Sequence, residues 1–121
     1  MQPPTTTAQM HKVTVRNGRP VFYDPPEVAE MKAKLTAHLA PYRPEKPLEG
    51  AVQLVTKWIW NGNENRYKHT KPDTDNLQKA LKDIMTKLRF WHDDAQVASE
   101  ITEKFTDTQP GIFIQIRTLE P

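Results

Sequence analysis

The sequence predicts an α/β chain of the α+β type, in which a small mixed β-sheet packs against two main helices. Apolar residues recur at intervals of three and four over residues 28–39 and 77–88, which is the period of an amphipathic helix. Apolar and polar residues alternate over residues 52–60 and again towards the C-terminus, which is typical of strands. The chain of 121 residues is long enough for one domain with one core.

The N-terminal region predicts an arm followed by a hairpin. Residues 1–9 are rich in proline, threonine and glutamine, and we expect a flexible arm outside a single domain of residues 10–121. Short alternating stretches at Lys12–Arg16 and Pro20–Tyr23 flank Asn17-Gly18, a strong two-residue turn signal. The sequence therefore predicts a small β-hairpin after the arm.

The next elements are a helix, a linker and a long strand. The first helix has about fifteen residues, ends before Pro41 and has an apolar face formed by Val28, Met31, Leu35 and Leu39. Two prolines mark residues 42–49 as a linker. Residues 52–60 then alternate as a strand should, and we expect this strand to be the central one of the sheet.

A polar loop, a second helix and two strands complete the predicted order. Residues 61–71 show no periodicity and form the loop. The apolar face of the second helix comprises Leu77, Ala80, Leu81, Ile84 and Leu88. The stretches Gln96–Phe105 and Gly111–Leu119 read as two strands joined by a turn, and we expect them to pair with each other as a hairpin.

The charges are unevenly distributed. Seventeen basic and fifteen acidic side chains give a net charge of +2, which by itself does not indicate a nucleic-acid binder. However, residues 51–90 hold eight basic and four acidic side chains, whereas residues 91–121 hold two and six. The basic run of the middle region interleaves with aromatic residues and comprises Lys57, Trp58, Trp60, Arg66, Tyr67, Lys68, His69 and Lys71. Such a run can bind phosphates and stack on bases; the alternative is a solvated loop beside a strand whose aromatic residues belong to the core.

The composition disfavours a membrane protein and a secreted protein. Only 36% of the residues are hydrophobic and no apolar run reaches eighteen residues, so we expect no membrane partner. The chain has no cysteine, and its start lacks the charged and apolar pattern of a secretory signal. We therefore expect a soluble, cytoplasmic protein without disulfides.

Carboxylates cluster at both ends of the second predicted helix. Asp73 and Asp75 lie two residues apart just before and at the helix start, and Asp93 and Asp94 follow its end, where a returning strand could bring one of them back. Carboxylates without cysteine suit Mg²⁺ or Mn²⁺, ions that are commonly shared with phosphate oxygens. The cluster points to phosphodiester chemistry. The alternative is that the first pair caps the helix and the second pair forms a turn.

The polar face of the second helix also carries charge of both signs. Asp75, Lys79 and Asp83 recur every four residues and so lie along one face, opposite the apolar residues. This face is thus acidic, basic and acidic in turn, and it adds to the cluster that points to phosphodiester chemistry. The alternative is that Lys79 and Asp83 form an ordinary surface pair.

The residues around this cluster resemble a known family. The stretches KPDTDNLQKA, Lys71 to Ala80, and FWHDDAQV, Phe90 to Val97, resemble the signature of the RusA-type Holliday junction resolvases of phages and prophages. This resemblance implies a homodimeric, Mg²⁺-dependent endonuclease that cuts four-way junction DNA by paired symmetric nicks in recombination and repair. Mn²⁺ is an expected substitute, and no small-molecule cofactor is expected.

The resemblance also implies site residues. Asp73, Asp75 and Asp94 are expected to bind the metal, and Lys79 is expected to be a catalytic lysine. Additional acidic positions are Asp93, beside Asp94, and Asp83, inside the helix. DNA contacts are expected from Arg66, Lys68 and Lys71, although some relatives have a nearly continuous arginine run there. Two other functions stay open: a non-catalytic DNA-binding accessory protein of recombination, and a nuclease for flaps or single strands.

Overall fold

The protein forms a four-stranded mixed sheet with two α-helices packed on one face, and a separate two-stranded sheet precedes it. The computed structural model describes residues 1–5, 12–16, 19–23 and 26–119. The predicted α+β fold is confirmed. Among the helices of these residues, none is long and apolar enough to cross a membrane.

The first two strands pair as the sequence predicts. Strand β1 (Lys12–Arg16) runs antiparallel to β2 (Arg19–Tyr23), with Arg16 opposite Arg19. The predicted turn residues, 17 and 18, lie outside the described residues. The pairing of these two strands therefore confirms the hairpin.

Helix α1 (Pro26–Leu39) buries the apolar face that its periodicity predicts. Its buried residues are Val28, Met31, Leu35 and Leu39. A short 3₁₀ turn at Ala40–Tyr42, with proline in its middle, ends the helix. The linker then approaches the end of the second helix, because the Leu48 amide donates to the Phe90 carbonyl at 2.8 Å.

Strand β3 (Val52–Asn61) lies between two other strands of the four-stranded sheet, whose order is β4-β5-β3-β6. The even-numbered residues of β3 from Val52 to Trp60 are buried, so one face of the strand packs against the helices. The predicted central strand is confirmed. The predicted polar loop contains one short strand that the sequence analysis missed, β4 (Arg66–Tyr67).

The last two strands do not pair with each other, and the predicted C-terminal hairpin is wrong. Strand β5 (Val97–Asp107) runs parallel to β3, and β6 (Gly111–Thr118) runs antiparallel to β3 on its other side. The buried strand β3 thus gains hydrogen-bond partners on both edges, which a strand covered on one face by helices needs. This arrangement carries β5 and its preceding turn next to the second helix.

Helix α2 (Thr74–Lys87) ends in a Schellman motif. The Phe90 amide donates to the Met85 carbonyl and the Arg89 amide to the Thr86 carbonyl, each at 3.0 Å. The backbone of Arg89 adopts the left-handed conformation, with φ 64°. The reversal directs Phe90 and Trp91 into the core, where Trp91 is fully buried and donates from Nε1 to Thr86 Oγ1 at 2.7 Å.

The start of the chain contacts the sheet. Pro3 and Pro4 are buried, and Trp60 Nε1 donates to the Pro4 carbonyl at 3.3 Å. Residues 6–9, the rest of the expected arm, lie outside the described residues. The boundary between arm and domain therefore stays a prediction.

Candidate active site

A solvent-open cleft of about 540 Å³ lies between helix α2, the turn before β5 and strand β5 itself. We call it the α2–β5 cleft. The residues that line it are mostly polar: Thr74, Asp75, Gln78, Lys79, Lys82, Asp94, Glu100 and Thr102. Acidic and basic side chains thus face one another across a space large enough for a phosphate group and water.

The cleft gathers three of the side chains that the sequence analysis singled out. Asp75 and Lys79 are one turn apart on α2, and both line the cleft. Asp94 reaches the same cleft from the 3₁₀ turn Asp94–Gln96, which leads into β5. The chain returns as the sequence analysis expected, because β5 pairs with β3 on the side next to α2.

Asp73 is placed differently. It sits just before α2 with an extended backbone (φ −74°, ψ 148°), and its carbonyl accepts from the Leu77 amide at 3.1 Å. Its side chain makes no capping hydrogen bond, so the capping alternative does not account for it. It is also absent from the residues that line the α2–β5 cleft.

The two additional acidic positions lie outside the cleft lining. Asp93 Oδ1 accepts from the Ala95 amide at 2.9 Å and caps the 3₁₀ turn, so the turn alternative describes it well. Asp83 is half-buried on α2 and does not line the cleft, whereas Lys82 does. Helix geometry explains this, since a residue eight positions after Asp75 has rotated by about 80° and one seven positions after it by about 20°.

Sequence reasoning missed a polar network that ends in the cleft. Gln78 is only 4% exposed, and its Oε1 accepts from Thr56 Oγ1 at 2.8 Å and from Trp58 Nε1 at 3.2 Å. Its Nε2 therefore donates to Glu100 Oε1, at 2.8 Å, while Glu100 Oε2 accepts from Lys82 Nζ at 3.2 Å. The sequence does carry one sign of this role for Gln78, because a polar residue lies there beside the apolar face of α2.

The carboxylates of the cleft suit a hard cation that keeps water ligands. Asp75 and Asp94 are exposed there, and both are oxygen donors without competing sulfur. Within the described residues, no group of three or more acidic, histidine or cysteine side chains is close enough to cage a metal. The donor set fits Mg²⁺ held by one or two carboxylates, with water and phosphate oxygens as the other ligands.

The polar loop before α2 is tied to β5. Lys104 Nζ donates to the Thr70 carbonyl at 2.6 Å and to the Pro72 carbonyl at 2.7 Å. In the antiparallel pair of β4 and β5, Arg66 lies opposite Thr106. Thr106 and Thr102 lie on the same face of the sheet, because they are four residues apart on β5 and strand residues alternate between faces. Arg66 lies on that face too, because directly paired residues share a face. The loop thus presents Arg66 on the cleft side of the sheet.

The lysines of the basic run differ in their surroundings. Lys68 Nζ lies 5.3 Å from the ring centroid of Trp60 and donates to Thr70 Oγ1 at 2.7 Å. Lys71 is exposed. Lys57 lies over the Phe113 ring at 5.7 Å, on the opposite sheet face, and so is separated from the rest of the run.

The aromatic residues of the run are mainly structural. Trp58 and Trp60 are buried in the core, which supports the core alternative for both. Tyr67 is 67% exposed, but it stacks on Phe105 at 4.7 Å, on the sheet face away from the cleft. Its hydroxyl donates to Glu103 at 3.1 Å, and this hydrogen bond, together with the Glu103 charge, raises the pKa of Tyr67.

Comparison with known proteins agrees with the signature around the cleft. The family model described as Endodeoxyribonuclease RusA matches residues 2–117. A crossover junction endodeoxyribonuclease rusA of Lactococcus phage r1t is 33% identical over 117 residues, covering 92% of this chain and 88% of the relative. Uncharacterized protein YqaN of Bacillus subtilis (strain 168) is 28% identical over 119 residues, covering 86% and 83%. A match over almost the whole chain, including both acidic stretches, means that this protein belongs to the RusA family of endodeoxyribonucleases.

Proposed function

We propose that this protein is a Mg²⁺-dependent endodeoxyribonuclease that resolves four-way DNA junctions by paired symmetric nicks in recombination and repair. The observation that carries the proposal is the presence of Asp75, Lys79 and Asp94 in one solvent-open cleft. Membership of the RusA family and the printed activity of the phage relative support junction DNA as the substrate.

The acidic residues would hold the metal ion. Asp75 and Asp94 would contribute carboxylate oxygens from α2 and from the turn before β5. Asp73, which does not line the cleft, is the third metal ligand that the family resemblance implies. When bound, Mg²⁺ supplies positive charge next to the scissile phosphate and makes a water molecule more acidic. The remaining coordination positions are left to water and to the phosphate itself.

Lys79 would stabilise the negative charge that develops on the phosphate. Its side chain is exposed in the cleft, and it forms no ion pair or hydrogen bond among residues 26–119. Lys82, one turn further along, is already paired with Glu100 at 3.2 Å. Lys79 is therefore the cleft lysine whose ammonium group is available to phosphate oxygens.

The basic loop would hold the DNA backbone beside the cleft. Arg66 lies on the cleft side of the sheet, and the loop that carries Lys68 and Lys71 is fixed through Lys104. Contacts of this kind position the duplex without reading its sequence. The loop thus supplies binding energy, while the carboxylates and Lys79 supply the chemistry.

Paired nicks require two cleavage sites, and we propose that a homodimer supplies them. The backbone of a four-way junction is two-fold symmetric, so a dimer with two-fold symmetry would present one cleft to each of two opposed strands. One chain, which contributes one α2–β5 cleft, is then half of the active unit.

A panel of DNA substrates tests this proposal. The purified protein is incubated with a synthetic four-way junction, a flap, a linear duplex and a single strand, each with Mg²⁺ and each with a chelator. We expect symmetric nicks in the junction with Mg²⁺ only, and binding of the junction in both conditions.

Other results of the panel would contradict the proposal in identifiable ways. Binding that is indifferent to Mg²⁺ with no nicking would favour the non-catalytic accessory protein. Mg²⁺-dependent cleavage of flaps or single strands, with the junction left intact, would favour a nuclease of another specificity.

A further inference from the structure

The side chain of Gln96 joins two separate segments of backbone next to the cleft. Its Oε1 accepts from the His92 amide at 2.7 Å and from the Asp93 amide at 3.0 Å. Its Nε2 donates to the Leu48 and Gly50 carbonyls, each at 2.9 Å. A primary amide has two donor hydrogens and two acceptor lone pairs, so every hydrogen-bonding position of Gln96 is used.

The two segments are the entries to neighbouring parallel strands. Residues 48–50 lead into β3, and residues 92–96 lead into β5. The 2.7 Å contact of His92 Nε2 with Glu49 Oε1 also joins them. The Leu48 amide donates to the Phe90 carbonyl, two residues before the second segment. Gly50 has a positive φ of 73°, a conformation that turns the chain at the point where its carbonyl meets Gln96.

Asp94 lies in the backbone segment, residues 92–96, that the side chain of Gln96 holds in place. Asp94 is the first residue of a three-residue 3₁₀ turn. A capping box closes this turn, in which the Asp93 side chain accepts from a backbone amide of the turn and the Gln96 side chain accepts from the Asp93 amide. Such a short turn has little stability of its own. No hydrogen bond or ion pair holds the Asp94 carboxylate within residues 26–119, so its direction depends on the backbone of this turn.

We propose that Gln96 is a positioning residue that keeps the Asp94 carboxylate in the cleft for metal binding. The inference rests on the proposed function, because it assigns Asp94 to the metal. Gln96 itself touches neither metal nor DNA in this account; it acts through the backbone of residues 92–96. Loss of a group that orients a metal ligand lowers metal affinity by about 10- to 100-fold in other proteins.

The experiment uses Gln96→Met, which has a side chain of similar length without hydrogen bonds. The matched control is Gln115→Met, since Gln115 is exposed on β6, on the sheet face away from α2. Mn²⁺ binding is measured by the loss of the free-ion electron paramagnetic resonance signal. Junction cleavage is measured against Mg²⁺ concentration, and junction binding is measured with a chelator.

We expect Gln96→Met to weaken Mn²⁺ binding by about tenfold or more and to raise the Mg²⁺ concentration for half-maximal cleavage similarly. Junction binding with chelator should change less than about twofold, because the basic loop is intact. Excess Mg²⁺ should restore much of the cleavage, and Gln115→Met should match the original protein. Gln96→Glu, with the same shape but no donor hydrogens, replaces Gln96→Met if the latter fails to fold.

Metal affinity and metal dependence equal to those of the original protein would overturn the inference, even if the variant melts earlier. The behaviour of the unsubstituted protein separates this result from failure of the proposed function. If it binds Mn²⁺ but cleaves no junction, the proposed activity fails and the Mn²⁺ affinities still decide the role of Gln96. If it neither binds Mn²⁺ nor cleaves, both proposals are overturned.

Discussion

Several acidic side chains of this protein are already engaged in the fold. Asp93 caps a 3₁₀ turn, Glu100 accepts from Gln78 and Lys82, and Asp107 accepts from Asn65 at 2.8 Å, the main cause that lowers the pKa of Asp107. Asp94 has no such partner among residues 26–119, and Asp75 accepts only from the amide of its neighbour Asn76. The least engaged carboxylates of the cleft are thus Asp75 and Asp94, both of which the proposal assigns to the metal.

The basic residues lead to a prediction about salt dependence. Lys71→Ala should weaken junction binding and reduce the slope of log K against log salt concentration by about 0.9, because one phosphate contact is lost. Filter binding or fluorescence anisotropy from low to moderate salt measures this slope. Lys46→Ala is the control, since Lys46 is also exposed but lies in the linker before β3. An unchanged slope for Lys71→Ala would remove this residue from the DNA interface.

At the scale of elements, periodicity predicted both helices and the central strand because each has one face in the core. It could not predict β4, which has only two residues, or the partners of β5 and β6. Alternation shows that a segment is a strand, but strand order depends on long-range pairing. A three-residue connection between β5 and β6 resembled a hairpin turn, although β3 lies between the two strands.

The end of α2 gives a prediction about stability. Arg89 occupies the left-handed position of the Schellman motif, where residues other than glycine are strained. Arg89→Gly should therefore raise the free energy of unfolding by up to about 1 kcal/mol, the typical size of such backbone effects. Urea denaturation measures the change. Lys87→Gly, two residues earlier at the last residue of the helix, is the contrast and should destabilise by about 1 kcal/mol. Destabilisation by Arg89→Gly as well would contradict this account.

At the scale of the whole molecule, the candidate site was only partly predictable. The resemblance singled out Asp73, Asp75, Lys79 and Asp94, and the structure brings the last three of these, but not Asp73, to one cleft. The contact between Gln78 and Glu100 could not be found from spacing, because the two residues meet only when β5 pairs beside β3. The sequence analysis placed Asp83 on the same helix face as Asp75 because the four-residue spacing was followed over two steps. Two such steps rotate a residue by about 80° around the helix, which takes Asp83 away from the cleft.

Assembly gives a further prediction at this scale. If paired nicks come from two copies of the cleft, the protein should have twice the mass of one chain in solution. Analytical ultracentrifugation over a range of concentrations measures this mass, and the cleavage assay is repeated at the same concentrations. A monomer at concentrations that give symmetric paired nicks would contradict the proposed dimer.

The central claim, that Asp75 belongs to a metal-dependent cleavage site, is tested most directly by Asp75→Asn. We expect the single-turnover rate of junction cleavage in Mg²⁺ to fall by about 100-fold or more, while junction binding with chelator is retained or strengthened. Glu27→Gln, which removes an exposed acidic residue from the first turn of α1 instead of α2, is the matched control and should cleave normally. Cleavage by Asp75→Asn at the original rate would contradict the account.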